Sequence, residues 1–140
     1  MHFIVEPEVA GGLGANTVMD RTVHPPVVTH LHYQFDGWLG DVLVESFPCF
    51  AVTKEAKEAV LAEAMTGVQF SNMEVSKSDQ FDELASTGPL PDFVRLEAVG
   101  KAGHDDFGVA KDGRLVMSQR ALLLLQQLQM TNALVEPFAQ

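Results

Sequence analysis

Two stretches decide the fold: AVTKEAKEAVLAEAMTGVQF at 51–70 and VMSQRALLLLQQLQMTNALV at 116–135. They align without a gap at an offset of 65 residues, Thr53 with Ser118, Ala56 with Ala121, Met65 and Thr66 with Met130 and Thr131, and Gly67 with Asn132. Thr and Ser are N-cap residues whose hydroxyl accepts a hydrogen bond from a free helical N–H. Gly and Asn most easily take the left-handed conformation that ends a helix. Apolar residues flank both copies, so each reads as strand, cap, helix, left-handed stop and strand. The shared local grammar places elements; it carries no inference of ancestry.

Working outward, residues 3–5 form a short opening strand, and the Gly11, Gly12, Gly14 cluster forms a loop. Residues 27–35, after Pro25 and Pro26, are β-branched and aromatic and read as one strand. Residues 77–84 read as a short helix started by Ser76 or Ser78, and Gly88, Pro89 and Pro91 then break the chain. Residues 93–99 alternate as a half-buried strand does. Asp112-Gly113 lies between apolar runs at 107–110 and 115–117, a strong hairpin signal. The expected architecture is α+β, a single domain over 1–140. It has a mostly antiparallel sheet and two capped helices in similar strand–helix–strand units.

The 140 residues suffice for one hydrophobic core. With 46% hydrophobic and 20% charged residues the chain reads as globular rather than disordered. The longest apolar run, 121–125, is far short of a membrane span. The opening MHFIVEPE has acids where a signal peptide has bases, and the single cysteine fits a reducing compartment; the expected localisation is cytoplasmic. A net charge of −10 argues against nucleic acid and anionic membrane as partners and favours a basic one, although acidity also serves solubility alone.

Residues 33–53, YQFDGWLGDVLVESFPCFAVT, hold the only Trp, Tyr and Cys and three acids, Asp36, Asp41 and Glu45, with no Lys or Arg. Rigid aromatics beside unpaired carboxylates suit recognition better than reaction. Trp38 is either core filling or an exposed anchor. Cys49, flanked by Pro48 and Phe50, reads as a buried structural thiol. His30 and His32 share one face of a strand with Asp36 nearby, but no third His or Cys follows at a ligand spacing. His104-Asp105-Asp106 reads as a solvated turn, because neighbours on an extended segment diverge. AGGLGANT at 10–17 lacks both the dinucleotide fingerprint and a phosphate-loop Lys. The second helix, with Leu122 to Leu125 and Leu128, is apolar on several sides, so it is buried between layers or covered by another chain.

EPEVAGGLGANTVMD, HLHYQFDGWLGDVLVESFPCFAVT, KAGHDDFG and the Ser118 helix with its MTNA stop together resemble small bacterial immunity proteins of polymorphic toxin systems. That α+β family was formerly labelled only as a domain of unknown function. The resemblance implies a protein that binds a cognate toxin C-terminal domain and blocks its active site or substrate path, with no catalysis and no cofactor or metal. The residues expected at the toxin are Asp36, Trp38, Asp41, Glu45, Asp105 and Asp106. Two alternatives stand beside it: a small metal-dependent hydrolase using His30, His32 and Asp36, and an oligomeric module, such as a homodimer, through the helix carrying Leu122 and Leu128.

Overall fold

Both N-caps form as the side-chain chemistry dictates. In the computed structural model, which describes residues 1–81 and 89–139, Thr53 Oγ1 accepts the Ala56 N–H at 3.2 Å and opens α1 (Lys54–Ala62). Ser118 Oγ accepts the Ala121 N–H at 3.3 Å and opens α2 (Gln119–Gln129). The expected stops differ. α1 ends at Glu63, with Ala64 in the left-handed region (φ +49°), and α2 ends with Gln129 at φ +130°. Gly67 does have a positive φ of +76°, but four residues late and for another reason: a Cβ there would strike the Phe107 carbonyl and Gly100. Asn132 takes no left-handed conformation; its N–H and side-chain amide are spent on Asp41.

Each helix sits in a similar unit. The first is the hairpin β6 (Leu43–Ser46) and β7 (Cys49–Thr53), then α1, then β8 (Val68–Ser71). The second is the hairpin β11 (Phe107–Val109) and β12 (Leu115–Ser118), then α2, then β13 (Leu134–Pro137). In neither unit do the strands flanking the helix pair with each other. β10 (Phe93–Ala98) fills the gap between β7 and β8, and β1 (His2–Glu6) fills the gap between β12 and β13, antiparallel to both neighbours in each case. The resulting four-stranded sheets run β6-β7-β10-β8 and β11-β12-β1-β13. β10 immediately precedes the second unit, and β1 precedes the first. Each unit therefore lends its leading strand to the other's sheet. Beyond those strands the pattern continues: Glu8 bridges Val44 and Gly100 bridges Gly108, both parallel.

One core lies between the two sheets and the helices. Phe50 and Val52 of β7, Leu43, Leu96, Leu115 and Met117 meet Ala56, Val60, Ala121, Leu122 and Leu125 there. Burial of each such leucine stabilises the fold by about 1.5–3 kcal/mol. Four of the five leucines of α2 lie in or against this core, and Leu123 is left 49% exposed.

The other face of the β7 sheet carries Val44, Ala51 and Phe93. A smaller sheet covers it: β2 (Gly11–Leu13), antiparallel to β5 (His32–Phe35), which is parallel to β9 (Glu74–Lys77). Tyr33 and Phe35 of β5 fill this second core. The hairpin β3 (Val18–Asp20) and β4 (Val27–His30) closes the end, and Cys49 is buried beneath it with Val28 and Leu31.

Three expectations are corrected here. Residues 27–35 form two strands rather than one, because buried Leu31 turns the chain from the hairpin into the small sheet and gives its carbonyl to Glu74 N–H. Gly11 to Leu13 form a strand rather than a loop; Gly11 packs on the Gln34 carbonyl, where a Cβ has no room. Lys77 closes β9 instead of opening a helix, which is under way by Gln80 and Phe81. The remainder of that expected helix, and Gly88, lie outside the described residues.

Candidate functional site

Residues 36–42 join β5 to β6 and carry three of the expected contact residues. The segment is pinned from several sides. Asp36 N–H and Gly37 N–H donate to the Ala10 carbonyl at 2.8 and 3.2 Å, and Leu39 N–H donates to Glu8 Oε2 at 2.7 Å. Trp38 Nε1–H donates to the Asp41 carbonyl at 2.9 Å, and its ring meets Phe93 edge-on at 5.9 Å. Trp38 is partly buried: one side packs on the core, and the residue lines two clefts.

The first cleft, of about 370 Å³, is walled by Trp38, Val42 and Leu128, with Lys54, Glu55 and Asp92 around it. The second, of about 380 Å³, is lined by Glu8, Ala10, Asp36, Trp38 and the exposed side chains of Val9 and Leu39. Burial raises the Glu8 carboxyl above its usual pKa; the Leu39 N–H opposes this, and the nearby Asp41 charge adds to it.

The other acids separate by role. Asp41 is 0% exposed. Its carboxylate accepts the N–H groups of Thr131 and Asn132 at 3.1 and 2.8 Å and the Asn132 side-chain amide at 2.9 Å. Asp106 is its counterpart one repeat later. It accepts Thr66 N–H at 2.9 Å, Ser118 Oγ–H at 2.6 Å, and Arg120 Nε and Nη2 at 3.0 and 2.7 Å. Burial pushes its pKa up, but the hydrogen bonds from Arg120, Ser118 and Thr66 outweigh that and hold it well below the carboxylate range. At the 65-residue offset Asp41 aligns with Asp106 and Thr131 with Thr66. Each acid thus ties the start of one unit to the segment after the other unit's helix. Two expected contact residues are therefore internal: neither carboxylate is free to meet a partner. The expectation of a solvated turn at 104–106 holds for exposed His104 and fails for Asp106.

Asp105 lies half-buried and accepts Lys101 N–H at 2.7 Å. Glu45 is absent from both Trp38 clefts and lines another with Glu6, Phe47, Asp112 and Arg114. Burial, with help from Glu6, raises its pKa to about 7, so much of it is neutral at physiological pH. Of the six residues named from sequence, Asp36 and Trp38 share a cleft and the others do not join them.

The histidines meet a carboxylate, but not Asp36. His30 Nε2 lies 3.2 Å from Glu74 Oε1, and His32 Nδ1 lies 3.9 Å from Glu74 Oε2. Asn16 N–H, which can only donate, points at His32 Nδ1 at 3.1 Å. The ring proton therefore sits on Nε2 and is donated to Ser76 Oγ at 2.7 Å, so both nitrogens of His32 are engaged. Among the described residues no group of three or more His, Cys, Asp or Glu side chains is arranged to hold a metal ion.

Sequence reasoning passed over Glu8, Glu74 and Arg120. Glu8 and Glu74 carry no local signal. Arg120 carries none either: it aligns with Glu55 in the first copy, so the repeat does not mark it.

No protein-family model and no curated protein matches the chain. Among the described residues no helix is long and apolar enough to cross a membrane.

Proposed function

We propose that this chain is an immunity-type binding protein that neutralises a cognate bacterial toxin domain, seating a basic surface of the toxin against the clefts on either side of Trp38. The observation that carries the reading is Trp38 itself. It is a rigid aromatic with a fixed indole N–H, flanked by Glu8 and Asp36 on one side and by Glu55 and Asp92 on the other, in a chain of net charge −10. Pre-organised aromatics at the centre of a charged patch are where binding energy concentrates. The surrounding acids speed encounter with a basic partner in a way that salt weakens.

Exposure decides which acids act. Asp36 takes part; Asp41 and Asp106 hold the scaffold; Glu45, with a pKa of about 7, contributes a partial charge. Affinity capture of the tagged chain from its native cell, with mass spectrometry of stoichiometric partners, tests the reading. Recovery of a large secreted protein by its C-terminal toxic domain is the expected result. A clean preparation without partner, from cells making their secretion apparatus, would remove it.

A further inference from the structure

We propose that the cleft between Glu8, Asp36 and Trp38 is a socket for one guanidinium group, an arginine side chain presented by the basic partner. The inference rests on the reading of the chain as a binder of a basic protein, and it specifies the chemistry that the site takes.

Glu8 supplies the first argument. It is 6% exposed, Oε2 holds the Leu39 N–H, and Oε1 has no hydrogen-bond partner. The Asp41 N–H acts on the same carboxyl and lowers its pKa. A buried acceptor left short of hydrogen bonds is costly, and the Glu8 carboxyl adds its charge to the cleft that the residue lines.

Charge supplies the second. Asp36 lines the same cleft, and buried Asp41 stands close enough to Glu8 to raise its pKa. Among the described residues no Lys, Arg or His pairs with Glu8, Asp36 or Asp41. The negative field is left for something outside the chain.

Shape selects the cation. A guanidinium is planar, stacks on an indole face, and carries five donors that can serve two carboxylates at once, whereas an ammonium is a compact and strongly hydrated point charge. The lip of the cleft is apolar, with Val9 67% and Leu39 58% exposed. A protein surface covers such a lip when one of its side chains enters, and a small solute does not.

Trp38 is the only tryptophan, so its fluorescence reports the cleft directly. Titration with N-acetyl-arginine methylamide is expected to give a saturable change in the millimolar range. The citrulline analogue, equal in shape and neutral, is expected to give none, and the lysine analogue to bind roughly tenfold more weakly. Glu8→Gln retains a carbonyl for the Leu39 N–H, and Asp36→Asn alters a side chain at the cleft wall. Each variant is expected to weaken arginine binding roughly tenfold with unchanged circular dichroism. Equal responses to arginine and citrulline, equal affinity for lysine, or no saturable response in the wild-type chain would overturn the socket. Loss of the socket with a toxin captured leaves the binding reading standing. A working socket without a captured toxin leaves the reverse.

Discussion

Replacing Asp106 by Asn removes one negative charge from a residue whose surroundings consist of donors. Its Oδ1 accepts Ser118 Oγ–H and Arg120 Nε–H, and its Oδ2 accepts Thr66 N–H and Arg120 Nη2–H. An amide must place its NH₂ at one of these two positions. At the Oδ2 position it opposes a main-chain N–H. At the Oδ1 position the Ser118 hydroxyl can turn to accept from it, but Arg120 Nε cannot. The second arrangement is therefore favoured, and it leaves the Arg120 fork half-made and the cap hydroxyl of α2 reoriented. Hydrogen bonds to charged groups contribute about 1.5–3 kcal/mol each, discounted here because water reaches Arg120, so the expected loss is about 2–4 kcal/mol at pH 7. Urea unfolding followed by circular dichroism measures it as a lower midpoint at unchanged slope. The pH dependence has a definite sign. The folded-state pKa is depressed, so the stabilisation is complete above the unfolded value of about 4 and is lost as pH falls below it. The gap between wild type and variant therefore holds at neutral pH and narrows in acid. A loss under about 1 kcal/mol at pH 7, or a gap that persists unchanged at pH 3, would refute the assignment of Asp106 as a stitch between units.

Three further outcomes follow from the same geometry. Separate fragments 1–81 and 89–140 should each fail to fold, since each lacks the strand that fills its main sheet; co-expression should recover a complex by co-purification, and a folded fragment 1–81 alone would contradict the strand exchange. Glu45→Gln should leave stability nearly unchanged at pH 5 and raise it by about 1–2 kcal/mol at pH 8, because a carboxyl whose pKa is raised to about 7 costs stability as pH rises from about 4.3 through that value; a pH-independent difference in thermal melts argues otherwise. Tyr33→Phe should cost about 1–3 kcal/mol in urea unfolding, since the buried hydroxyl accepts Ala10 N–H at 3.0 Å and donates to the Glu45 carbonyl at 2.9 Å, and its loss strands both; an unperturbed midpoint is the contrary result.

The division between legible and illegible features follows the range of the physics. Thr53, Ser118 and the Asp112-Gly113 turn act over three or four residues, so their side chains announce the elements they begin or reverse. Cys49 lies in a run apolar on both faces and was readable as buried for that reason. Asp41 is different. It finds its partners 90 and 91 residues away, and nothing beside it distinguishes it from Asp36, which lines a cleft. A carboxylate has the same local sequence signature whether it faces solvent or a ring of donors, and only the chain's return fixes which.

By itself, the sequence determined the α+β class, both helices and their N-caps, most strands, and the concentration of aromatic and acidic residues at 33–53. Tertiary structure alone decided that β1 and β10 change places between the two units, because strand pairing is set by main-chain hydrogen bonds that any apolar strand can offer. It also decided which acids became mortar and which stayed available beside Trp38. Burial turns identical side chains to opposite uses: a carboxylate met by donors, as Asp41 is, holds the fold together, while one that lines a cleft, as Asp36 does, keeps its charge at the surface.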